Sequence, residues 1–260
     1  ISAVVAIIVP TIAAPPTGTI ADRVTRYSED RKALSEKHKE PLSEFRNTRM
    51  LEFLRTQTLD LDTLATEELS GSESVDYLLL RNELNFKIAK AKFDQSRDSR
   101  LRRILDCLVP LVQLLEQHER THAVNSKATA ELFVAAGKQI KQTTQTLQAD
   151  AKEATEDATN ESDQETRPKL DSALALYAVD SVSDLLRSLD SLHRFYSGYD
   201  PLYSWWCGMP YDSVTKECHA LLATLKKISG VTDDPDQIIG HAIGDEMMLI
   251  ELQHEMIPYT

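Results

Sequence analysis

Apolar side chains recur every three or four positions through most of this chain, and alternating β-branched residues are nearly absent beyond the N-terminus. That spacing lays an apolar face along a helix, whereas a half-buried strand needs a period of two. The stretch after Pro168 shows it best, with Leu170, Leu174, Tyr177, Val182, Leu185, Leu189, Leu192 and Phe195 marking a well-packed helix. Glycine and proline are scarce, at 8 and 10 of 260 residues, while Leu, Ala, Glu, Lys and Gln abound, which favours helix further. The expectation is an all-α, multi-helix, bundle-like assembly. It shows no internal repeat and no heptads sustained enough for a coiled coil.

Punctuation divides the chain into elements. A helical pattern opens at Thr19 and carries Ile20, Val24, Tyr27, Leu34 and His38; Pro41 interrupts it, and Leu42, Phe45, Met50, Leu51 and Leu54 continue on a new axis. Residues 59–64 read as a turn whose Asp62 or Thr63 caps the next helix, over 72–94, with Val75, Leu78, Leu79, Asn82, Phe86 and Ala89 on its apolar side. A helix over 101–122 must kink or break at Pro110. Ala- and Gln-rich residues 128–148 follow, then a polar stretch over 149–167 that is the best internal boundary, and helices over 213–228 and 235–255 complete the set.

The first 14 residues are apolar and too short to span a bilayer. They read as the remnant of a secretory signal, leaving 15–260 as one helical domain and placing the protein outside the cell. Two features suit that compartment. Cys207 and Cys218 flank a Met209-Pro210 turn and could form a disulfide, with Cys107 as a buried thiol, and Asn160-Glu161-Ser162 is an N-glycosylation sequon. A net charge of −12, with no basic cluster, argues against nucleic acid or, after signal removal, an anionic membrane as partner.

One run spells out chemistry. His118-Glu119-Arg120-Thr121-His122 is a literal H-E-x-x-H, which on a helix sets two imidazoles on one face to share a zinc ion and a Glu to take a proton from the bound water. The surroundings speak against it. Glu116, Glu119 and Arg120 crowd the same two turns, and neither Asn125 nor Ala128 continues a known zinc pattern. A self-sufficient zinc hydrolase using His118, Glu119 and His122 therefore stands as an alternative, and a solvated helix face as the bland reading. A thiol enzyme is disfavoured, because Cys218 and His219 are adjacent and point apart on a helix.

Tyr199-Asp200-Pro201-Leu202-Tyr203-Ser204-Trp205-Trp206 concentrates aromatic side chains and holds both tryptophans of the chain. It reads either as a core anchor between two helices or as an aromatic cleft wall formed by Tyr199, Tyr203, Trp205, Trp206 and Tyr211. Together with Met209-Pro210-Tyr211, this segment resembles the central signature of a large helical family filed as a domain of unknown function (eight-eight-five). Asp76 to Asn82 is similar to that family's first signature and Glu255 to Thr260 to the start of a third, so the resemblance runs from about Thr19 to Thr260. It implies an often secreted, zinc-dependent metallopeptidase similar to helical carboxypeptidases. It also implies that this chain is the N-terminal half of a larger helical fold, one wall or lid of a substrate cleft. The family's zinc motif, His-Glu-x-x-Pro-Gly-His-His, is not in this chain: His254-Glu255-Met256-Ile257-Pro258 imitates its first five positions, but Tyr259-Thr260 follow. The resemblance thus implies no cofactor in this chain, zinc in a C-terminal half that is its partner, and a peptide substrate. A helical binding or scaffold protein without catalysis is the remaining reading.

Overall fold

A computed structural model describes residues 18–156, 170–230, 240 and 243–257. Among them the chain is all helix, with no strand. In order these are α1 (Ile20–Lys37), α2 (Glu44–Asp62), α3 (Gly71–Ile104), α4 (Val109–Glu119), α5 (Ser126–Glu156), α6 (Ser172–Tyr199), α7 (Pro201–Ser229) and α8 (Gly244–His254), with single 3₁₀ turns at Thr66–Glu68 and Asp106–Leu108. The all-α expectation is met. Residues 1–14 and Asn160 lie outside the described residues, as does 157–167 of the polar stretch; residues 149–156 continue α5.

Side chains close the helix starts. Thr19 with Asp22 and Ser70 with Glu73 form reciprocal capping boxes, and Ser43, Asp171 and Asp200 each accept a backbone N–H of the turn they precede. Pro110 sits in the first turn of α4, where its missing N–H is harmless, so the anticipated break falls at residues 105–108.

The helices bury two apolar clusters. The larger joins α4, α5, α6 and α7 through Leu111, Phe133, Ile140, Val182, Leu185, Leu189, Val214 and Leu221, and takes in Leu101 from the far end of α3. Small residues let α5 and α7 approach closely. Ala136 is buried, and Gly137 lies so near that a Cβ there would be 3.7 Å from the Val214 backbone. The smaller cluster joins α1, α2 and the first half of α3 through Ile20, Tyr27, Leu54, Leu61, Tyr77, Leu80 and Leu84. α8 packs on α3, where Asn82 Nδ2 donates to the His254 carbonyl at 2.9 Å and Phe86 stacks on the His254 ring.

Three expectations change. α2 runs through residues 59–62, so Ser70, and not Asp62 or Thr63, caps α3. On α3 the buried face is Tyr77, Leu80 and Leu84, whereas Val75, Leu78 and Leu79 are exposed; the run Leu78-Leu79-Leu80 fits either face at helical spacing. Finally, no turn forms at Met209-Pro210. α7 begins at Pro201 and carries Pro210 inside it, so Cys207 and Cys218 share one helix. Eleven residues of helix separate them by about 16 Å, far beyond the roughly 7 Å limit for a disulfide. All three cysteines are free and buried. Burial raises their thiols, to about 11 for Cys107 and Cys207 and about 12 for Cys218.

Candidate functional site at the end of α4

Four buried side chains, Leu111, Val112, Leu114 and Leu115, anchor α4 and fix where its last turn emerges. That turn holds His118 and Glu119, and the helix stops there. The Thr121 N–H donates to the His118 carbonyl at 2.9 Å and the His122 N–H to the Gln117 carbonyl at 3.0 Å, with Thr121 at φ 60°. This paired closure with a left-handed residue terminates a helix. The H-E-x-x-H run is therefore split. His122 lies exposed beyond the helix and cannot share a metal with His118 across one helical turn. His118 instead sets its Nδ1 3.1 Å from the Tyr196 hydroxyl of α6. Burial, then the nearby Lys39, lowers its pKa and keeps the ring neutral near pH 7.

Glu119 turns to the connection between α1 and α2. There Glu40, just before Pro41, is only 2% exposed. The two carboxyl groups lie close enough to act on each other, and Ser188 of α6 lies against Glu40. Glu119 is pushed up to about 7, by burial first and then by the Glu40 charge; Glu40 is also raised, by burial. Each carboxyl keeps one buried oxygen, Glu40 Oε2 and Glu119 Oε1, with no protein donor. A single proton on the pair supplies a donor that two carboxylates would lack. Around them, His38 Nδ1 lies 3.9 Å from Glu119 Oε2, Ser43 Oγ donates to Glu116 Oε1 at 2.5 Å, and Arg120 stacks over Phe45 at 3.9 Å. Glu40 carries no sequence signal, because an acidic residue between Lys39 and Pro41 looks like any solvated loop charge.

The aromatic segment divides in two. Tyr203 is fully buried and belongs to the larger cluster, against Tyr196, which corrects its reading as cleft wall. Tyr211 is partly buried and stacks face to face on His193 at 3.7 Å. Tyr199, at 79% exposed, and Trp205, at 82%, face outward, and with Trp206, Phe195, Leu202 and Met209 they form an exposed apolar ridge at the α6–α7 corner. A shallow hollow beside Tyr199, Pro201, Ser204 and Trp205 opens on this ridge.

Among the described residues, no group of three or more His, Cys, Asp or Glu side chains converges as a metal shell would. Of the candidate histidines, His118 faces Tyr196, and His254 faces Asn82 and Phe86, with Glu83 Oε2 3.7 Å from its ring. Likewise no described helix is long and apolar enough to cross a membrane. Comparison with family models, with curated proteins and with solved structures finds no match.

Proposed function

We propose that this chain builds a helical wall of the substrate cleft in a secreted, zinc-dependent, carboxypeptidase-like peptidase. In this reading another segment of the same protein supplies the metal ligands. The observation that carries it is the aromatic ridge: Tyr199 and Trp205 offer large, stiff apolar faces to solvent on a corner anchored in the core by buried Tyr203. Such a surface suits the side chains of an extended peptide. The three stretches that resemble the peptidase-like family add support, and Asn82, in the first, donates to the carbonyl of His254, the residue just before the third.

The test is a titration of the full chain with a short Leu- and Phe-rich peptide, read by tryptophan emission. Saturable quenching or a blue shift is expected, weakened at least about fivefold by Trp205→Ala, as for an interface anchor. The chain alone should neither retain stoichiometric zinc nor cleave the peptide. An unresponsive emission would sink the wall reading in favour of a scaffold without a peptide site. Cleavage by zinc-loaded chain that is lost on His118→Ala would establish the self-sufficient hydrolase instead.

A further inference from the structure

The connection between α1 and α2 is where the two clusters are joined by polar groups. Its flanks, Ile20 and Tyr27 on α1 and Leu54 and Leu61 on α2, belong to the smaller cluster. The connection itself plugs into the larger one. Leu42 is buried there at φ 57°, Ser43 bonds Glu116, and Glu40 meets both Glu119 and Ser188. We propose that the Glu40–Glu119 pair is a proton-operated latch between the two helical clusters, closed while one proton is shared and released when both carboxyls ionise.

The geometry requires a proton for closure. Two ionised carboxylates buried together repel, and each would keep an orphaned oxygen in a medium that solvates it poorly. The cations nearby do not replace the proton. Lys39 and Arg46 act on Glu40, and Lys39 on Glu119; yet both acids remain raised, because burial outweighs them. Lys37, Arg49 and Arg120 act on His38, whose own pKa is lowered by burial first, so His38 stays neutral beside Glu119 near pH 7. Glu116 adds a like charge from α4, and His118 on the same turn is neutral near pH 7. From α6 the pair receives the uncharged Ser188 hydroxyl.

The sign follows from linkage. The closed state holds a proton up to about pH 7, whereas a solvated Glu releases it near its ordinary value. Opening therefore becomes easier by up to roughly tenfold per pH unit between about pH 5 and 7, and levels off above. His38, His118 and His193 have lowered pKa values and pull the other way on acidification, so a difference between two proteins isolates the latch.

The experiment is amide hydrogen exchange on the full chain at pH 5, 6, 7 and 8, corrected for intrinsic rates, for wild type and for Glu119→Gln. The reporters are the Arg46 and Asn47 amides, which bond to Ser43 Oγ and the Ser43 carbonyl. The ratio of opening constants, wild type over Glu119→Gln, should climb at least about tenfold from pH 5 to 7, and amides inside α5 and α7 should not share that climb. A neutral amide side chain at 119 keeps a donor for the ionised Glu40 and removes the Glu119 titration. Should Glu119→Gln not fold, Glu40→Gln must show a shallower pH dependence than wild type, because it removes the Glu40 charge that helps to raise Glu119. A flat ratio overturns the latch, and so does a climb shared equally by α5 and α7, which would mean global destabilisation.

Discussion

At the scale of single residues, Thr121 is the clearest compromise. It ends α4 in the left-handed region at φ 60°, where a β-branched side chain is strained and glycine is not. Thr121→Gly should raise unfolding free energy by about 1 kcal/mol, seen as a higher urea midpoint at unchanged slope. The acid–base residues set a second expectation. A histidine with a depressed pKa contributes stability above its ordinary value near 6.5 and loses it as pH falls; His38, His118 and His193 are of this kind. Glu119, raised to about 7, does the reverse and gives stability that grows as pH falls from 7 towards 4.5. Glu119→Gln removes that gain, so its denaturation midpoint should drop more steeply than wild type between pH 7 and 5. Parallel curves would count against a raised carboxyl.

At the scale of elements, burial separates residues that look alike in sequence. Leu185 is fully buried on α6, while Leu79 is more than half exposed on α3. Leu185→Ala should cost about 2–5 kcal/mol and Leu79→Ala about 0.5 kcal/mol or less, by chemical denaturation. Equal costs would show that α3 turns the other face inward. The helices themselves were readable, because α6 has one apolar face and Pro41 and Pro110 mark true breaks. What was not readable depended on partners distant in sequence. Leu78-Leu79-Leu80 permits two faces, and only the placement of α1 and α2 chooses between them. Pro210 looked like a turn, yet the packing of α7 against α5 and α6 carries the helix through it. Among the candidate site residues, the H-E-x-x-H run sets His118 and Glu119 on a helix that stops before His122, and only burial distinguishes Glu40.

At the scale of the whole molecule, the two clusters should be separable by chemistry. Cys107, Cys207 and Cys218 all lie in the larger cluster, with their thiols raised well above neutrality by burial. A thiol reagent at pH 8 should therefore find no fast-reacting cysteine in the native chain and three after denaturation. Under partial denaturation that melts α1 and α2 first, the thiols should remain protected. A fast-reacting native thiol would contradict the packing of α5 against α7.

α3 belongs to both clusters, with Tyr77, Leu80 and Leu84 in one and Leu101 in the other. Its 34 residues make an unbroken rod of about 51 Å. Once the Glu40 and Leu42 contacts to the larger cluster let go, such a rod is a lever. Pivoting by about 5° at Leu101 would sweep the Gly71 end through about 4 Å, a little less than one helical turn. Whatever repacks the larger cluster by a fraction of an ångström is thereby written, enlarged, into the position of α1, α2 and α8.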